Sequence, residues 1–93
     1  MAEKAVHRNV SLGVASELIL GRNTYRRHAL LVNDSDAVIY LNLGSTAVAN
    51  EGIRVNASGG SYEINLDNAY FGEVHAVATG AAKKLMVTEV SNA

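Results

Sequence analysis

Ninety-three residues are enough for one domain and too few for two, and a chain of this size buries only about 60–65% of its unfolded surface, so its core is thin. The absence of cysteine excludes disulfides, cysteine-ligated metal centres and thiol chemistry, which leaves packing or association to supply stability. A net charge of −1 argues against a general nucleic-acid binder, whose affinity depends on neutralising phosphates.

Charge is unevenly placed. Residues 1–27 carry Lys4, Arg8, Arg22, Arg26 and Arg27 against Glu3 and Glu17, a net of +3; residues 28–93 carry Arg54, Lys83 and Lys84 against seven carboxylates, a net of −4. The N-terminal excess reads either as a solvated arm or as a basic segment that docks on an acidic partner. No apolar core of a secretory signal follows Met1-Ala2-Glu3-Lys4, and no run approaches the ~20 apolar residues of a membrane span. A soluble protein without a secretory address and without membrane contact is expected. Hydrophobic residues make up 48% of the chain but aromatics only 5%, and proline is absent. The core must therefore be Val, Leu, Ile and Ala, and the turns must be made by Gly, Asn, Asp and Ser.

In chain order, residues 1–8 are polar and expected to be loose or extended. Val10, Leu12 and Val14 fall on one side of a half-buried strand. Leu18-Ile19-Leu20 reads as a second short strand, preferred to a helix because Gly13 and Gly21 bracket so short a segment. Gly21 to Thr24 is a turn. Arg26 to Asn33 is a long strand with His28, Leu30 and Val32 on one face and Ala29 and Leu31 on the other. Asn33-Asp34-Ser35-Asp36 is a self-capping turn. Ala37 to Leu43 follows, with Ile39, Leu41 and Leu43 on one face and Val38 and Tyr40 on the other.

Arg26 to Leu43 thus reads as a central hairpin supplying core from Leu31, Ile39 and Leu41. Its second apolar face, Leu30, Val38 and Tyr40, needs a cover from this chain or from a neighbouring subunit. Short strands follow at Ile53–Val55, Ser61–Asn65, Glu73–Ala78 and Lys84–Val90, separated by turns at residues 44–52, 56–60, 66–68 and 79–83. The spacing predicts an all-β fold: a single small antiparallel β-sandwich of seven or eight short strands, jelly-roll-like as one option. Sequential pairing is expected through Asp34-Ser35-Asp36 and through Thr79-Gly80. Residues 1–21 are expected to form an N-terminal arm with short strands, residues 22–90 the sandwich, and residues 91–93 a tail.

Catalytic chemistry is not encoded in any recognisable pattern. His7, His28 and His75 lack the spacing of a metalloprotease motif. Asp34-Ser35-Asp36 opens like a calcium loop, but Ala37-Val38-Ile39 follows where further oxygen ligands belong. There is no nucleophile elbow and no phosphate-binding glycine loop, and Glu63, Glu73 and Glu89 read as solubilising carboxylates on separate strands. Asn9-Val10-Ser11 and Asn56-Ala57-Ser58 match the glycosylation pattern by chance. No catalytic, metal or cofactor residue is assigned. Arg22, Tyr25, Arg26 and Arg27 are the candidate partner-binding residues, because Arg and Tyr are enriched at interface hot spots; the competing reading is an edge charged against aggregation.

Arg26-Arg27-x-Ala29-Leu30-Leu31-Val32-Asn33-Asp34-Ser35-Asp36 followed by Val38-Ile39-Tyr40-Leu41-x-Leu43-Gly44 resembles small β-sandwich proteins encoded among tailed-phage structural genes. The same holds for Gly52-Ile53-Arg54-Val55-Asn56-Ala57-x-Gly59-Gly60-Ser61-Tyr62-Glu63-Ile64, for Tyr70-x-Gly72-x-Val74-x-Ala76, and for Leu85-x-Val87-Thr88-Glu89. The resemblance covers residues 22–90 and implies a non-enzymatic virion component without a cofactor. A head decoration or capsid accessory protein is the first expectation, docking in many copies on the major capsid protein or another virion protein. It would be homo-oligomeric, with a trimer favoured, located on the virion after assembly in the host cytoplasm. The alternative is a carbohydrate- or receptor-binding module of a phage fibre or tail appendage.

Overall fold

The computed structural model describes residues 3–92. Eight strands follow one another: β1 (Glu3–Leu12), β2 (Glu17–Leu20), β3 (Arg26–Asn33), β4 (Ile39–Leu43), β5 (Ile53–Val55), β6 (Ser61–Ile64), β7 (Val74–Ala78) and β8 (Lys83–Asn92). They form two four-stranded antiparallel sheets, ordered β1-β8-β3-β6 and β2-β7-β4-β5. Except between β4 and β5, the chain changes sheet at every connection between consecutive strands. That interleaving is the jelly-roll arrangement, and it resolves the option left open by the sequence.

Period-two alternation builds the core. Ala29 and Leu31 of β3, Ile39 and Leu41 of β4, Val74, Ala76 and Ala78 of β7, and Leu85 and Val87 of β8 face one another between the sheets, none more than 2% exposed. Leu12, Ile19, Leu20, Val55 and Ile64 complete the layer. Ile19 and Leu20 are adjacent yet both buried, because the β2–β7 register slips between Leu18 and Leu20. Aliphatic residues interdigitate closely enough here that few aromatics are needed.

The expected hairpins are not formed. β3 pairs with β8 and β6, whereas β4 pairs with β7 and β5, so Arg26–Leu43 spans both sheets. Likewise Thr79-Gly80 joins β7 in one sheet to β8 in the other. The same polar residues that close a hairpin also carry a chain across the ~10 Å between packed sheets. Alternation specifies a strand and its inward face; it does not specify the neighbour.

The second apolar face is divided by this crossing. Leu30 lies half-buried on the outside of one sheet, whereas Tyr40 lies on the outside of the other with Val77, Ala47 and Val38. The β4–β5 loop covers Tyr40, so the cover comes from the same chain. Tyr40 Oη donates to Asn50 Oδ1 at 2.9 Å, and the Ala47 amide donates to Ser16 Oγ at 2.9 Å. The loop's tight path needs left-handed backbone at Gly44, Asn50 and Gly52. At Gly52 a side chain is also excluded, since a Cβ would stand 2.4 Å from the Leu41 carbonyl oxygen.

Both strands of the expected N-terminal arm are built into the sheets. β1 runs beside β8 in continuous register from Glu3 against Asn92 to Leu12 against Lys83, and β2 lies beside β7. Val14 leaves the strand pattern and is 76% exposed in the bend between β1 and β2. Ser91 and Asn92, expected in a tail, finish β8; the expectations for Met1, Ala2 and Ala93 lie outside the described residues.

Candidate functional site

One end of the sandwich gathers the loops after β2 and β6 with the start of β3 and the end of β8. Arg26 opens β3 with its side chain turned inward, and the residue is 2% exposed. Its Nε donates to Glu89 Oε2 at 2.7 Å, its Nη1 to the carbonyls of Tyr70 and Gly72 at 2.8 and 3.1 Å, and its Nη2 to the Gly21 carbonyl at 2.7 Å. The forked guanidinium ties two loops and a strand together, as a compact ammonium could not. Asn23 reinforces the junction: its Nδ2 donates to Ser91 Oγ at 2.7 Å, and its backbone amide donates to the Phe71 carbonyl at 2.8 Å.

The four candidate partner-binding residues therefore separate. Arg26 is consumed by the fold, which corrects its assignment as an interface residue: no donor of its buried side chain is left without a partner. Arg27 is half-buried and pairs with Glu3 on β1. Arg22 and Tyr25 remain exposed, Tyr25 at 61%. Beside them the β6–β7 loop presents Phe71 at 43% exposure and Leu66 at 68%. A shallow depression at this end is lined by Arg22, Gly44, Tyr70, Gly72 and Glu73.

The opposite end is built around Asn33, the last residue of β3, fully buried. Asn33 Nδ2 donates to the carbonyls of Ala37 and Val55 at 2.7 and 3.0 Å, and Oδ1 accepts from Ser35 Oγ at 2.6 Å. Asp34 and Asp36 project outward to Lys84 and Lys83, at 2.9 and 2.6 Å. The hydrogen bond from Lys83, and then its positive charge, hold the Asp36 carboxyl below the ordinary aspartate range. A second shallow depression, lined by Asp34, Ser35, Asp36, Ser58 and Gly59, lies here.

The histidines make separate contacts: His7 meets Thr88, His28 meets Glu63, and His75 meets Glu73. Among the described residues no three His, Asp or Glu side chains converge on a point that could hold a metal ion.

A feature the sequence reading missed is the edge of β1. Each sheet has two outer strands: β1 and β6 in one, β2 and β5 in the other. Three are short, with four residues in β6, four in β2 and three in β5. β1 has ten residues, unbroken register against β8, and no other strand beside it among the described residues. Glu3 to Asn9 are all exposed. The polar composition of residues 3–9 hid this strand, although strict alternation of Lys4, Val6, Arg8, Val10 and Leu12 with Ala5, His7, Asn9 and Ser11 was the available signal.

No family model matches this chain, and no curated protein matches it in sequence. A solved structure from Bacillus endospore appendages, which form a novel family of disulfide-linked pili, is similar over 98% of this chain and 87% of its own length. The TM-score is 0.60 and the sequence identity 19%, so the likeness is one of fold. It does not extend to the disulfide linkage, because the present chain has no cysteine.

Proposed function

We propose that this chain is a non-enzymatic structural subunit that acts in many copies, associating with itself and seating on a larger particle. The observation that carries this reading is a jelly roll in which, among the described residues, one long strand edge stays open. Repeated weak contacts on a symmetric lattice give avidity without a large individual interface. The fold likeness to an appendage subunit supports self-assembly. The resemblance of residues 22–90 to tailed-phage β-sandwich proteins favours a head-decoration role, with the major capsid protein as the particle partner. Native mass spectrometry across a concentration series, with co-sedimentation on phage heads lacking this subunit, tests the reading. Masses at multiples of 9.8 kDa or retention on the particles are expected; a strict monomer that binds no particle overturns it.

A second reading, glycan recognition, is favoured by Tyr25 and Phe71, exposed at one end beside Arg22. Aromatic faces of this kind can stack on sugar rings. A glycan array distinguishes it: binding lost in Tyr25→Ala and Phe71→Ala supports this reading, and an empty array removes it.

A further inference from the structure

We infer that the free edge of β1 is a two-fold interface, at which β1 of a second copy adds antiparallel and joins two four-stranded sheets into one. The inference rests on the proposed self-association and specifies its geometry. An exposed strand edge is a row of unpaired amides and carbonyls, and folded proteins protect such edges by shortness, bulges, proline or charge. β2, β5 and β6 are short, and the β2 ladder also carries a register slip. β1 is long and regular and contains no proline. Its charges are Glu3, paired with Arg27, and the cations Lys4 and Arg8, which share the core-facing side with Val6, itself 44% exposed.

Those two cations choose the occupant's register. A two-fold axis perpendicular to the sheet keeps outer faces together, so only residues of one face can lie opposite each other. Each allowed register then centres on one residue facing its own copy. Centring on Val6 places Lys4 opposite Arg8 twice, and centring on Arg8 places two arginines face to face; like charges directly opposite are destabilising. Centring on Ala5 pairs only residues 3–7, and centring on Asn9 only residues 6–12. Centring on His7 pairs residues 3–11 and sets no two cationic Lys or Arg side chains opposite each other. Glu3 then faces Ser11, Lys4 faces Val10, Ala5 faces Asn9, and Val6 lies against the aliphatic stem of Arg8. This is the longest register free of such a clash, so the edge is complementary to itself and selective against generic strands.

The chain has no cysteine, so single cysteines report the register cleanly. Residues facing each other across an antiparallel pair have Cα atoms about 4.5–5.5 Å apart, inside the range a disulfide spans. Ala5 and its own copy would be offset by four residues, about 13 Å along the strand, as would Asn9 and its copy. His7→Cys, Ala5→Cys and Asn9→Cys are all substitutions of exposed residues on one face. On mild oxidation His7→Cys should give at least about tenfold more covalent dimer than either other variant alone, since the interface sets the local thiol concentration. An equal mixture of Ala5→Cys and Asn9→Cys should cross-link where each alone does not. If the unmodified protein is oligomeric by native mass yet His7→Cys stays uncross-linked, the β1 interface is overturned and self-association stands. If all three variants cross-link equally, the register is overturned. A protein that is monomeric at every concentration overturns both.

Discussion

β3 begins and ends with a buried polar side chain, and the two ends solve the same problem differently. Arg26 and Asn33 both point inward, on the same side as Ala29 and Leu31. Each donates to main-chain carbonyls of turns and strand ends. Arg26 reaches three carbonyls and a carboxylate across two loops and a strand, whereas Asn33 reaches two carbonyls and a neighbouring hydroxyl. The first end is long-range and charged; the second is mostly local and neutral. The difference shows how a small sandwich with an aliphatic core closes its open ends: longer loops need a wide, multi-donor side chain, and a tight turn needs only an amide.

Breaking the charged end should have the larger effect. Arg26→Ala leaves the partly buried Glu89 with only Asn23 Nδ2, at 3.3 Å, and releases three carbonyls, so a loss of about 3–5 kcal/mol is expected in urea unfolding. Asn33→Ala removes the buried amide that donates to the Ala37 and Val55 carbonyls and accepts from Ser35 Oγ, with Ala37 still accepting from Ser35 Oγ at 3.1 Å, and about 1–3 kcal/mol should be lost in the same assay. Gly60 supports the Asn33 end by accepting from the Asn33 amide at 2.8 Å. A Cβ there would stand 2.3 Å from the Asn56 carbonyl oxygen, so Gly60→Ala should cost about 1–3 kcal/mol, read as a lower midpoint.

The smallest effect belongs to the exposed ion pair outside the Asn33 turn. The folded Asp36 carboxyl is held low by Lys83, so its contribution to stability is complete above the unfolded value of about 3.9 and fades as pH falls through the lower folded value. Unfolding of the native protein and of Lys83→Ala should therefore differ slightly at neutral pH and converge in strong acid. A difference that widens in acid would reverse this assignment.

The sequence showed where the strands after β1 lie and which residues of the middle strands face inward. Leu31, Ile39 and Leu41 were expected in the core and are fully buried. It read less well at the ends. Arg26 carried the signal of a binding residue because it sits among Arg22, Tyr25 and Arg27, and nothing local distinguishes an arginine that turns in from one that turns out. What decides it is the set of carbonyls from Gly21, Tyr70 and Gly72, brought together only by the fold. β1 was obscured for the opposite reason: as an edge strand with exposed side chains through Asn9, it lacks the apolar contrast on which alternation depends.

By itself the sequence determined an all-β chain, its turn positions and its inward faces, because those follow from side-chain periodicity and from the backbone preferences of Gly, Asn and Asp. Strand neighbours were decided only by the tertiary structure. Arg26–Leu43 reads alike as a hairpin or as a crossing, and the choice is made by residues far along the chain. β8 and β6 give β3 a longer ladder and a shared core face, while β7 and β5 do the same for β4. Pairing is a competition among distant edges for hydrogen bonds and buried area, and no single segment records its result.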